Sequence, residues 1–164
     1  MAGVHTLAET ERQVNERLAG MTIDFRAMAV SSNLFRAATA VRNHLERTVL
    51  APHDLSWTAF VVLWVVWIWE PIETRQIAEE GGFSKATLTG VLSTLETRKL
   101  AVRKKSKDDG RLVIVELTAA GRKLMKELFP EFNKQEAHIS SVLSGGAQDA
   151  TAEALRKVTA HLEG

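Results

Sequence analysis

Residues between positions 84 and 111 have the chemistry needed to contact a polyanion. The first group combines small side chains, hydroxyls and one cation, which allow close approach, hydroxyl contacts to phosphates or base edges, and methyl contacts to thymine. Its members are Ser84, Lys85, Ala86, Thr87, Thr89, Gly90 and Ser93. The second group carries cations of the kind that the negative potential of a DNA groove attracts. Its members are Arg103, Lys104, Lys105, Lys107 and Arg111.

Each group also has a plainer interpretation. The first could be a solvated helix rich in threonine, although threonine lowers helix propensity, and the lysines of the second could serve solubility alone. The distribution of charge favours a nucleic-acid surface. Residues 74–123 contain 11 Lys or Arg and 6 Asp or Glu, a net charge of +5, whereas the remainder carries −4. One basic segment on an otherwise acidic chain is typical of nucleic-acid binding.

Turn and capping signals place both groups on a helix–turn–helix followed by a hairpin. Thr74 is predicted to cap a helix over 75–80, which Gly81-Gly82 ends, and Ser84 to cap a second helix over 85–98. Ala78 would lie where the two helices cross, and Leu88 would be the apolar contact of the second. Strands are predicted at 101–105 and 111–117, joined by a turn with the Asp-Gly signal. This order indicates a winged helix.

Apolar periodicity predicts further helices on both sides of this segment. A weak apolar stripe predicts a first helix that ends at Gly20, and a long helix is predicted over 23–50. A tryptophan-rich helix is predicted from a Ser56 cap to Glu70-Pro71. It is apolar nearly all round, so it should lie at the centre of the structure. A further helix is predicted to begin at Thr118. The last helix is predicted to bury its apolar face, which comprises Ala154, Leu155, Val158 and Leu162.

The predicted fold is therefore mainly α with a small β-hairpin wing. A winged helix–turn–helix DNA-binding lobe over 56–122 would be joined to a helical dimerisation layer made of 1–55 and 123–164. Long flanking helices with no core of their own usually bury each other across a two-fold axis. Double-stranded DNA and a second copy of the chain are the predicted partners.

Four short runs resemble the signature of the MarR family of transcription regulators. They are Ser84-Lys85-Ala86-Thr87-Leu88-Thr89, Leu95-Glu96-Thr97-Arg98, Asp108-Asp109-Gly110-Arg111 and Leu117-Thr118-Ala119-Ala120-Gly121-Arg122. The resemblance implies a homodimer that binds a pseudo-palindromic operator, commonly as a repressor. It also implies that Arg111 contacts DNA and is held by an aspartate just before it, Asp108 or Asp109. Gly90 stands where many members carry arginine, and Lys99 where many carry glycine.

The same resemblance implies a small phenolic or carboxylate effector bound between the dimerisation layer and the DNA-binding lobe. An aromatic wall with a few cations would suit an aromatic acid. The candidate residues are Arg36, Arg42, His44, His53, Trp57, Phe60 and Trp64. The alternative is that tryptophans at near-helical spacing form core, and that each histidine is satisfied locally.

Several other classes of protein find no support in the sequence. The chain has no cysteine, which excludes disulfides and thiol chemistry. It shows no nucleophile elbow, phosphate-binding glycine loop or recurrent histidine pair, so neither an enzyme, a cofactor nor a metal site is predicted. The apolar segment 57–69 is too short to span a bilayer, and no secretory signal is recognised, which favours the cytoplasm. A winged-helix module that binds an acidic protein instead of DNA remains the alternative function.

Overall fold

The computed structural model describes residues 5–106 and 109–164, and the chain divides into two compact units, Met1–Asn43 and His44–Gly164. The first unit contains α1 (Leu7–Arg17) and most of α2 (Phe25–Leu45). Thr6 caps α1, because its hydroxyl accepts the Glu9 N–H while the Glu9 carboxylate accepts the Thr6 N–H at 2.8 Å. None of residues 5–43 is buried, so the described part of this unit has no core of its own.

The second unit begins at the end of α2 and leads into the most apolar helix. The chain continues as one π-helical turn, Glu46–Leu50, and a short 3-10 turn, Ala51–His53. Helix α3 (Trp57–Trp69) follows, and the Ser56 hydroxyl accepts the Ala59 N–H at 3.2 Å. Both the Ser56 cap and the end of α3 before Pro71 confirm the sequence prediction.

Helix α3 lies at the centre of the second unit, as its apolar composition predicted. Six of its residues are buried: Ala59, Phe60, Val62, Leu63, Val65 and Val66. Its aromatic side chains stack on a later helix, α6 (Ala119–Ser140), with ring centroids 4.3 Å apart for Phe60 and Phe132 and 4.5 Å apart for Trp64 and Phe129. These contacts hold α6 against the core.

A three-stranded antiparallel sheet flanks this core, in the order β1 (Ile72–Glu73), β3 (Val113–Leu117), β2 (Ala101–Lys105). Strand β2 (Ala101–Lys105) matches the prediction, whereas β3 (Val113–Leu117) begins two residues later than predicted. The delay occurs because Leu112 closes the turn: its N–H donates to the Asp109 carbonyl, and its own carbonyl accepts from Ser106. Strand β1 (Ile72–Glu73) was not predicted, since two residues carry no alternation that could reveal a strand.

Two short helices complete the predicted helix–turn–helix. Helix α4 spans Thr74–Gly81 and α5 spans Lys85–Thr97. The prediction that Thr74 is the cap of α4 is wrong. The cap is Glu73, one residue earlier, and its N–H donates to the side-chain oxygen of Gln76 at 3.2 Å. The turn between the helices has Gly82 in the left-handed region at φ 63, as a sharp bend requires.

The chain ends in two helices, α6 and α7 (Gly145–Glu163). Helix begins again at Thr118 as predicted, and the Thr118 hydroxyl caps α6 by accepting the Gly121 N–H at 3.0 Å. The prediction that α7 buries Ala154, Leu155, Val158 and Leu162 is wrong for the single chain, in which α7 buries no residue and Leu162 is 78% exposed. An apolar helix face can be covered only by something it packs against, and the described part of this chain does not provide that cover.

Within the described residues, no single helix has both the length and the apolar character to cross a membrane, although a bent pair, Phe25–His53 with Trp57–Trp69, meets those two criteria.

Candidate nucleic-acid interface

Helix α5 is fixed on one side and open on the other. Leu88, Leu92 and Leu95 are 3%, 1% and 0% exposed and hold the inner side against the core. At the N-terminus, the Ser84 hydroxyl accepts the Thr87 N–H at 3.1 Å, and the Phe83 N–H closes the preceding turn on the Ala78 carbonyl at 2.8 Å. A helix held this firmly can present its outer side in a constant orientation.

The outer side carries all the residues that the sequence singled out on this helix. We call this set the exposed face of α5, and its members are Ser84, Lys85, Ala86, Thr87, Thr89, Gly90 and Ser93, each exposed. Three of its hydroxyl groups are engaged in hydrogen bonds within this segment. Thr89 Oγ1 donates to the Lys85 carbonyl at 2.8 Å, and Thr87 Oγ1 lies 2.8 Å from Ser84 Oγ. The donor capacity expected of Thr89 is therefore already used inside the chain.

The wing, residues 101–117, is tied directly to α5 by one ion pair. Arg103 donates to the Glu96 carboxylate through its backbone N–H and through Nε, both at 3.0 Å, and through Nη2. These hydrogen bonds lower the pKa of Glu96 and raise that of Arg103. Arg103, predicted as a DNA contact, thus faces the helix rather than the tip of the wing, and it positions one element on the other.

The remaining wing cations lie further from the core. Lys104 pairs with Glu116 on the neighbouring strand at 2.7 Å, and Lys105 is exposed at the end of β2. Lys107 and Asp108, which the sequence analysis also singled out, lie outside the described residues.

The tip of the wing holds Arg111 in the way the sequence predicted. Asp109 Oδ1 accepts from the Arg111 backbone N–H and from Nε, both at 3.0 Å, and Oδ2 accepts from Nη2 at 2.9 Å. Hydrogen bonding to Arg111 lowers the pKa of Asp109, and the pKa of Arg111 is raised in turn. The Arg111 side chain is nevertheless 90% exposed, so the paired guanidinium is open to solvent.

A groove of about 880 Å³ lies between α4, α5 and the wing. The exposed side chain of Val113 contributes apolar surface to it, with the buried Leu88 and Leu92 beneath, and Lys85 and Lys105 bring cations from the helix and from the wing. The two groups of residues that the sequence separated by about twenty positions therefore border one surface. That surface is basic and lies beside the exposed face of α5, the arrangement needed to follow a nucleic-acid backbone.

Two further sets of hydrogen bonds hold the DNA-binding lobe together. The sequence analysis did not predict either of them. Arg98, at the end of α5, donates to the carbonyls of His53 and Asp54 at 2.8 and 2.7 Å. Glu70, at the end of α3, accepts two bonds from Arg122 and one from the Leu117 N–H, all within 2.8 Å. The second link joins three elements, α3, β3 and α6, at one carboxylate.

The residues proposed for an effector are distributed over both units. Arg36 and Arg42 belong to the first unit, and the other five belong to the second. Phe60 is buried, whereas Trp57 and Trp64 are half-buried. His44 lies 2.9 Å from the side-chain oxygen of Gln135 and stacks on His138. His53 is exposed, with its carbonyl bound to Arg98 as described above.

Comparison with known proteins gives a consistent result. The family model described as the MarR family matches residues 55–113. The chain is 37% identical to the HTH-type transcriptional regulator YwaE of Bacillus subtilis over 86% of this chain and 82% of that protein. Its fold is similar to that of Bordetella bronchiseptica BpsR, whose DNA binding is regulated by 6-hydroxynicotinic acid (27% identity, TM-score 0.72, 80% of this chain and 98% of that one).

A second solved structure has the same fold in a DNA-bound form. The S. aureus MepR–DNA complex gives a TM-score of 0.72 at 22% identity, covering 79% of this chain and 96% of that one. The winged helix and its basic surface, with these similarities, define a DNA-binding transcription regulator rather than an enzyme. More particularly, the chain belongs to the MarR family.

Proposed function

We propose that this regulator acts in the cytoplasm as a homodimeric repressor that binds a pseudo-palindromic operator and is released by a small aromatic acid. The observation that carries the DNA-binding part is the surface shared by the exposed face of α5 and the wing, with Lys85 and Lys105 on one groove. The α5 face would enter the major groove. Arg111, held by Asp109, would reach the adjacent minor groove, where the potential is strongly negative.

The proposed dimer is supported by the burial pattern. None of the described residues in 5–43 and 141–164 is buried, yet these segments expose large apolar side chains, including Phe35 at 74% and Val142 at 85%. Such helices become stable by packing against others. A second copy of the chain would cover both segments, and a two-fold dimer would present two α5 helices to one operator.

The proposed effector is supported by a relative and by chemistry. BpsR, which is 27% identical, is regulated by an aromatic acid. In this chain, half-buried tryptophans and the paired imidazoles of His44 and His138 offer apolar and polar contacts of the type that small-molecule sites combine. A thermal-shift screen with hydroxylated benzoic, phenylacetic and nicotinic acids tests this. We expect at least one acid to raise the melting temperature and to lower operator affinity.

The DNA-binding proposal is tested by mobility shift with the DNA upstream of the protein's own gene. The logarithm of the affinity should fall linearly with the logarithm of the salt concentration, because Lys and Arg displace counterions from the DNA. Lys85→Ala should relax base preference, while Lys105→Ala should weaken binding about equally on operator and random DNA. Lys157→Ala on α7, far in sequence from the interface, is the control for charge alone.

Two outcomes would contradict the proposal. Equal losses for both variants on both kinds of DNA would contradict the assignment of α5 as the helix that reads bases. Absence of any shift at low salt would instead favour the winged-helix module that binds an acidic protein.

A further inference from the structure

The exposed face of α5 differs chemically from what its threonines suggest in the sequence. Thr89 could in principle offer a hydroxyl donor or a methyl group, but its Oγ1 donates to the Lys85 carbonyl at 2.8 Å. The single donor proton of the hydroxyl is then used within the helix, and the γ-methyl is the apolar part of this exposed side chain that a ligand can contact. Ala86, also exposed and in the first turn of α5, offers only a methyl.

Gly90 leaves room beside these methyl groups. It follows Thr89 directly and lies one helical turn after Ala86, so the three residues are neighbours on the helix surface. A Cβ built on Gly90 would meet no atom within 4 Å. The surface around Thr89 is therefore shallow, and a flat partner such as the edge of a base pair can approach it closely.

We propose that Thr89 recognises the 5-methyl group of a thymine in each operator half-site by an apolar methyl-to-methyl contact, which Gly90 makes sterically accessible. This inference rests on the proposed function, since it assumes that α5 enters the major groove. Thymine is the base that presents a methyl there. Recognition at this position then depends on shape and apolar contact rather than on a hydrogen bond from the hydroxyl.

Most substitutions of Thr89 remove its methyl group and its hydroxyl group together, but two substitutions remove only one of them. Thr89→Val keeps both branches of the side chain but replaces the hydroxyl by a methyl, whereas Thr89→Ser keeps the hydroxyl and removes the methyl. On the DNA side, deoxyuridine lacks only the methyl of thymine and keeps every hydrogen-bonding group. The methyl group can therefore be removed from the protein or from the DNA while the hydrogen-bonding groups of both stay the same.

The experiment uses the full-length protein and an operator selected from randomised DNA. Each thymine of a half-site is replaced in turn by deoxyuridine, and affinities are measured by fluorescence anisotropy. For the wild type we expect one position per half-site at which deoxyuridine lowers the affinity about fourfold, the effect of one buried methyl group. Thr89→Val should show the same loss at that position.

Thr89→Ser should bind the thymine operator about fourfold more weakly than the wild type and should no longer distinguish deoxyuridine at that position. The proposal is overturned if every deoxyuridine is neutral for the wild type, if Thr89→Ser discriminates as the wild type does, or if the half-sites contain no thymine. Failure of the proposed function looks different, because no operator would then be selected at all. Circular dichroism confirms that both variants are folded.

Discussion

Gly90 and Gly121 both lie within helices, but the folded chain requires only one of them. A Cβ on Gly121 would overlap the carbonyl oxygen of Leu100, whereas a Cβ on Gly90 would meet open space. Glycine inside a helix lowers stability by about 0.5–1 kcal/mol relative to alanine. No packing contact among the described residues accounts for Gly90, and glycine at this position would let another molecule approach α5 closely.

We therefore expect Gly90→Ala to raise the free energy of unfolding by about 0.5–1 kcal/mol and at the same time to weaken operator binding. The methyl group favours helix, but it occupies the space that DNA would enter. Urea unfolding and anisotropy titration measure the two effects. Gly121→Ala should show the opposite change in stability, a loss of about 1–3 kcal/mol, because a neighbouring backbone atom must move. Unchanged operator affinity in Gly90→Ala would contradict the role given to this position.

Lys99 provides the second prediction at the scale of a single residue. It adopts the left-handed conformation at φ 57 after the end of α5, where its N–H binds the Glu96 carbonyl and the next N–H binds the Leu95 carbonyl. Glycine is favoured at this position because it has no Cβ. Lys99→Gly should therefore raise the free energy of unfolding by about 1 kcal/mol, measured by urea denaturation. Lys126→Gly, the same change within α6, should lower it by about 1 kcal/mol.

At the scale of elements, the pair between Glu96 and Arg103 determines how the wing lies on α5. The carboxylate accepts from both the guanidinium and the backbone of Arg103, so the middle of β2 is held at one point on the helix. The pKa of Glu96 is lowered chiefly by these side-chain hydrogen bonds. A carboxylate with a lowered pKa stabilises the fold fully above its unfolded pKa, and this contribution disappears as the pH falls through the folded pKa.

Glu96→Gln should therefore reduce the free energy of unfolding by about 1 kcal/mol at pH 7, since a charged acceptor is replaced by a neutral one. The difference between wild type and variant should shrink as the pH falls below about 4.5, the ordinary value for glutamate. Urea midpoints measured from pH 7 to pH 3 give the difference curve. A difference that stays constant over this range would show that the charge of Glu96 has no part in holding the wing.

The elements also show which features the sequence could predict. Ser56 and Ser84 were recognised as caps, helix was predicted to begin again at Thr118, and Arg111 was expected to pair with an aspartate just before it. Each of the contacts found there spans only two or three residues. The bonds from Arg98 to the loop at 53–54 span more than forty positions. No periodicity or spacing marks a contact of that kind, which depends on how two distant segments pack.

At the scale of the whole molecule, the largest departure from the sequence analysis concerns burial. The apolar face of α7 was identified correctly as a pattern, but residues 5–106 and 109–164 alone do not bury it. Leu155 and Val158 are 44% and 36% exposed. Sequence shows that a helix has an apolar face, but not which surface covers it, because an intramolecular core and an interface between subunits have the same pattern.

A substitution on α7 can test whether its apolar face is an interface between subunits. Leu155→Lys should shift the protein from dimer to monomer in sedimentation velocity and lower operator affinity at least tenfold, since a monomer holds one half-site only. The winged helix should remain folded by circular dichroism, because Leu155 is exposed in the single chain. Ala160→Lys adds the same charge on the opposite side of α7, about 140° away around the helix axis, and should leave both mass and affinity unchanged. If Leu155→Lys remained a dimer with full operator affinity, the subunits would have to meet through another surface.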